Sequence, residues 1–160
     1  MATYTRPASV DSSAVSWYDN TTDVIRMTSS LGISDVIENV TIDNSTTGTI
    51  NFDALTQAIV YYDTSQTANR TINFRGDATK SLDSVMVVGE SMTFATLMTE
   101  GATPYYLNTY QIDSSAVTPK WQGGTAPSGG NASSVDAYSF TILKTASSTF
   151  TVLASQTQFA

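Results

Sequence analysis

From Thr46 onward apolar side chains alternate with Ser, Thr and Asn, a period of two that only an extended strand turns into one dry and one wet face. "RTINFRG" (70–76) sets Ile72 and Phe74 against Thr71, Asn73 and Arg75, and "TGTINF" carries Ile50 and Phe52 in the same way. "QAIVYYD" (57–63) is apolar enough to predict a central strand. "SMTFATLM" (91–98) opposes Met92, Phe94 and Met98 to Ser91, Thr93 and Ala95. "YYLNTYQI" (105–112) follows a turn at Gly101 and Pro104, which predicts that these two runs form a hairpin. In "DAYSFTILKTASSTFTVLASQ", Tyr138, Phe140 and Ile142 precede a polar turn at Ala146-Ser147-Ser148, and Phe150, Val152 and Ala154 return, a second hairpin. "TKSLDSVMVVG" (79–89) fits either a helical turn ended by Gly89 or a bulge.

Short strands separated by turn signals predict an all-β fold: an antiparallel β-sandwich or jelly-roll-like body over residues 41–160. No repeat of roughly 20–50 residues stands out, which argues against a propeller or solenoid. Residues 1–40 keep neither period for long and predict an irregular N-terminal arm. Its Trp17, Tyr18, Ile25, Met27 and Leu31 are costly to leave in water, so the arm is expected to lie against its own body or to dock on a partner.

Reactive chemistry is constrained by what is missing. The chain contains no Cys and no His, which removes disulfides, thiolate nucleophiles and imidazole bases together. A net charge of −7 opposes binding to nucleic acid, since little basic charge is present to displace counterions. No apolar run reaches the length of a membrane span, so no membrane insertion is expected. The carboxylates Asp77, Asp83, Glu90, Glu100, Asp113 and Asp136 are the candidates for a glycosidase-type acid and base, but no spacing singles out a pair. Their positions at strand ends and turns fit solvated or backbone-bonded groups, and no enzymatic activity is expected. "DNTTD" (19–23) lacks the spacing and glycine of a calcium loop, and neither metal nor cofactor is expected. The Arg-Gly-Asp of "FRGD" (74–77) reads as a turn after a strand.

"KWQGGTAPSGG" (120–130) lacks the Lys-Ser/Thr that a phosphate loop requires after its last glycine. It predicts a long flexible loop between two strands, with Trp121 packing one end as an anchor. An exposed Trp121, with Tyr110 and one of the neighbours Tyr105 and Tyr106, is the alternative: an aromatic contact surface of the kind that stacks on sugar rings.

The stretches "INFDALTQAIVYYDTSQTANRTINFRGDATKSLDSVMVVGESMTF", "YQIDSSAVTPKWQGGTAPSGGNASSVDAYSFTILKT" and "FTVLASQTQFA" resemble a C-terminal module of virion surface proteins from marine tailed bacteriophages, the cyanophages in particular. The likeness covers roughly residues 46–160, and "VTPKWQGG" followed by "DAYSFTILKT" is its most specific part. It implies a β-rich, surface-exposed piece of the phage particle, a fibre-like or head-decoration protein, assembled as a homo-oligomer, most simply a trimer, on capsid or tail proteins. The resemblance carries no catalytic residue. Expected is a structural protein of the virion, attached through its arm; the alternatives are a tail fibre or receptor-binding module for envelope glycans, and a polysaccharide-degrading enzyme.

Overall fold

Thr-Ile-Asn-Phe occurs twice, at 49–52 and 71–74, and the two copies lie side by side as neighbouring strands in matched register. That stacking organises the body. The structure, a computed structural model, describes residues 37–160 and, before them, Val24 alone. Trp17, Tyr18, Ile25, Met27 and Leu31 lie outside the described residues, as do Asp19–Asp23 of the weak calcium-loop match.

Successive strands visit two sheets in turn. Strands β1 (Val40–Asp43), β3 (Ile59–Tyr62) and β5 (Ser91–Thr99) lie side by side in one sheet; β2 (Thr49–Asp53), β4 (Arg70–Arg75) and β6 (Leu107–Ile112) do so in the other. All four pairings within these two sets are parallel. The chain then adds β7 (Ser115–Ala116) antiparallel to β6. It crosses through β8 (Lys120–Trp121) and a 3-10 turn at Gln122–Gly124 to the hairpin of β9 (Val135–Ala146) and β10 (Thr149–Phe159). The completed sheets run β1-β3-β5-β9-β10-β8 and β2-β4-β6-β7.

The all-β expectation holds, and its antiparallel form is corrected: both sheets are mixed. A strand that returns to its sheet after one visit to the other has made a full turn, so it runs in the same direction as before, and the intervening strand serves as the crossover. The hairpin expected between 91–98 and 105–112 is replaced by such a crossing, with β5 in the six-stranded sheet and β6 in the four-stranded one. The expectation of no repeat is corrected with it, since β1 to β6 wind as three turns of a coil. The hairpin of β9 and β10 forms as the alternation predicts, pairing Phe140 with Ala154 and Ile142 with Val152.

Stacked turns place like side chains in rows. Ile50 and Ile72 adjoin, as do Phe52 and Phe74, and all four are buried. Phe52 meets Phe94 of the other sheet at 4.8 Å between ring centroids, and Phe74 meets Phe140 edge-on at 5.0 Å. The two sheets therefore share one aromatic core. A short helix, α1 (Leu82–Val85), seals one end with Leu82 and Val85. Ser81 caps it through Ser84 N at 3.0 Å, and Asp113 accepts from Leu82 N and Asp83 N at 2.6 and 3.0 Å. Gly76 is required there by close approach, because a Cβ would stand 2.7 Å from Val85 Cγ2.

Candidate functional site: the edge around Trp121

Lys120 pairs with Leu153 and Trp121 with Ala154 where β8 joins the edge of β10. Alternation then sends Lys120 outward and Trp121 toward the core. The indole stands edge-on to Tyr110 at 5.4 Å and to Phe140 at 6.5 Å, closing the gap between the two sheets. The expected anchor is found. Tyr110 is brought to Trp121 as the contact-surface reading asks, but its ring packs against the core and its hydroxyl donates to Leu107 O. Burial holds its phenol well above the usual tyrosine range. Tyr105 and Tyr106 precede β6, and Tyr106 also packs on the core.

Beside the indole lies an open groove of about 390 Å³, walled by Lys120, Ser139, Thr141, Leu153 and Ser155. A second hollow of about 410 Å³ adjoins it at Gln122, Thr125, Pro127 and Gln156. The lining offers hydroxyls, amides and one ammonium and contains no carboxylate. Such a set can hydrogen-bond a neutral polyhydroxyl ligand; it holds no acid and base to cleave one.

The glycine-rich run beside this groove is tied down. A Cβ on Gly130 would stand 2.0 Å from Tyr105 O, so only glycine allows the loop to close on that strand entry. Gln156 Nε2 donates to Gly129 O at 3.2 Å. Asn131 donates twice to Asp136, at 3.0 and 2.7 Å. The loop expected to be flexible is thus fixed at its second half by bonds from β9 and β10.

The acidic side chains are committed to the fold. Asp77 accepts from Thr79 N at 2.6 Å and from Lys80 N at 2.8 Å, and those turn bonds hold its carboxyl below the usual range. Arg75 pairs with Asp53 across β4 and β2 at 2.5 Å, so both charged ends of the Arg-Gly-Asp tripeptide are engaged, one in a cross-strand ion pair and the other in the turn. Asp83 meets Lys144 Nζ at 2.7 Å and Ser148 N at 2.7 Å; the Lys144 contact leads in lowering its carboxyl. Glu90 accepts from Val87 N at 2.8 Å. Asp113 caps α1.

Glu100 and Asp136 are the pair that spacing did not reveal. They sit on the inner side at adjoining strand ends, 3% and 0% exposed. Glu100 Oε2 accepts from Tyr105 N at 2.8 Å, while Oε1 is buried without a hydrogen-bond partner. Burial, reinforced by the Asp136 charge and offset in part by the Tyr105 bond, pushes Glu100 up to about 7. Neither residue lines the groove or the hollow beside Trp121; they are an internal acid pair. The signal for Asp136 was present in the sequence, since it shares parity with Tyr138 and Phe140. Lys144 shares it too, and that lysine is buried, donating to Asp83 O and Met86 O.

Among the described residues no group of three or more Asp, Glu, His or Cys is placed to hold a metal ion. Comparison with known proteins finds no match: no family model, no curated protein and no solved structure corresponds to the chain.

Proposed function

We propose that the chain is a structural protein of a tailed-bacteriophage virion, a surface-exposed head decoration or short head fibre. In this reading residues 1–40 dock on the particle and the β-body, a sandwich-like unit built from a coiled start and a hairpin finish, projects as part of a homo-oligomer. The sequence resemblance supplies the phage setting. The observation that carries the structural role is the fate of the carboxylates: Asp77, Asp83, Asp113, Glu100 and Asp136 are bonded into turns, a helix cap and the body's interior. Deleting residues 1–39 and measuring incorporation into particles tests the reading; incorporation should be lost, and unchanged incorporation overturns arm docking. Labelled protein absent from intact particles overturns the virion role itself.

The groove beside Trp121 favours a second reading, recognition of host envelope glycan. Trp121→Ala is a poor probe of it, since the indole supports the core. Lys120→Ala combined with Thr141→Ala alters the groove at partly or fully exposed positions. Glycan recognition predicts weaker adsorption by particles carrying this double variant, and an unchanged adsorption rate sinks it.

A further inference from the structure

The six-stranded sheet turns away from the core a face of apolar side chains mixed with Ser and Thr, without a carboxylate on its strands. Register places Ile42, Tyr61, Leu97 and Ala137 in one row across four adjacent strands, all on the outer side. Phe159, 59% exposed, and Leu153, 45% exposed, extend the surface on β10, and Ile42 itself is 59% exposed. Among the strand residues of this face the charged side chain is Lys120, at the far edge. The rest are aliphatic, aromatic or hydroxyl-bearing.

We propose that this face is an interface with a second copy of the chain, sheet against sheet. Electrostatics selects that occupant. Each copy carries a net charge of −7, so two copies repel wherever carboxylates face one another, and this face presents none. A partner chosen by opposite charge would find nothing on it to read. Size agrees as well. With strands about 4.8 Å apart and about 3.3 Å of rise per residue, the face formed by β1, β3, β5, β9 and β10 projects about 600 Å². The relief of its side chains brings that near the roughly 800 Å² per partner of a standard interface. Pairing removes the exposed Val40, Ile42, Leu153 and Phe159 from water. The proposal rests on the reading of the chain as building material and competes with the glycan reading, since Lys120, Ser139, Thr141, Leu153 and Ser155 of that groove lie on this same face.

The test uses the full chain. Light scattering at tens of micromolar should return the mass of at least two copies, and Ile42→Lys combined with Leu97→Lys should reduce it to one, 17.1 kDa. Thr71→Lys, on the outer side of the four-stranded sheet, should leave the assembly intact. Circular dichroism checks folding, and a second probe avoids dependence on the lysine variants. The native chain has no cysteine, so Leu97→Cys should be joined to a second copy by a bis-maleimide that spans the roughly 10 Å between packed sheets, while Thr71→Cys should not. A monomeric native chain, whether its face is bare or covered from within, overturns the proposal. So does an assembly that survives the lysine pair with no cross-link at position 97. A monomer found on particles would sink the pairing and leave the virion role standing; an assembling chain absent from particles would do the reverse.

Discussion

The outer faces of the two sheets are built from the same alternation and come out opposite. On the four-stranded sheet Thr49 adjoins Thr71, Asn51 adjoins Asn73 and Asp53 adjoins Arg75, so hydroxyl, amide and ion pair each form a row facing away from the core. Asn73 Nδ2 donates to Asn51 Oδ1 at 3.0 Å, and its own oxygen accepts from Ser114 N at 2.8 Å. That last bond supports a tight turn in which Asp113 and Ser114 both take positive φ, 50° and 65°. On the six-stranded sheet the outer row is Ile42, Tyr61, Leu97 and Ala137, while Glu100, Asp136 and Lys144 point inward. The first face satisfies its polar groups with one another, Asn73 itself being buried between Asn51 and the Asp113–Ser114 turn. The second turns Glu100, Asp136 and Lys144 toward the interior and leaves on its outside a carboxylate-free mixture of Ile, Val, Tyr and Leu with Ser and Thr.

The contrast can be broken most forcefully at the core the sheets share. Phe74→Ala removes a ring that touches Phe52, Phe94 and Phe140, and should cost about 3–5 kcal/mol in urea unfolding. Both sheets should be lost in one transition; a separate early loss of the four-stranded sheet would show that the faces belong to independent units. Asn73→Ala should cost about 1–3 kcal/mol, because it strands Ser114 N and Asn51 in a partly buried setting. A cost near zero would mean that the amide row is ornament and that this face differs from the other in polarity alone.

Glu100 sharpens the comparison from the other side. Its carboxyl ionises near 7 in the folded chain and near 4.5 when unfolded, so both states are protonated in acid and the unfolded state loses its proton first as pH rises. Stability should fall between about pH 4.5 and 7 on this account and level off above. Glu100→Gln should match the native chain at pH 4 and exceed it by roughly 1–3 kcal/mol at pH 8, measured by thermal or urea unfolding. Equal pH profiles would show that the acid at this sheet end is not held neutral. The smallest effect belongs to the partly exposed ion pair on the polar face. Asp53→Asn should change stability by about 0.5 kcal/mol or less, and less still in high salt.

Much of the interior could be read from the chain. Ile50, Phe52, Ile72, Phe74, Phe94, Tyr138, Phe140 and Ile142 are all buried as their alternation requires, and Trp121 anchors the end of its loop. The helical turn that shared its signal with a bulge forms over Leu82–Val85. The doubled Thr-Ile-Asn-Phe was a visible clue to stacked coils, but it is only four residues long and its next turn reads Thr109, Tyr110, Gln111 and Ile112, where the type of side chain persists and the letters do not. The Trp121 groove had no sequence signature, because Ser139, Thr141 and Ser155 come from strands whose adjacency depends on the hairpin and on the docking of β8.

By itself the sequence determined which side chains of each strand share a face, since a period of two is a property of the extended backbone wherever that strand is placed. It also determined that no thiol or imidazole takes part in anything the chain does. Only the tertiary structure decided which strands are neighbours and in which direction they run, because parallel and antiparallel ladders bury the same alternate residues. For the same reason it alone decided that the back of one sheet would carry an amide row and an ion pair and the back of the other Ile, Tyr and Leu among hydroxyls.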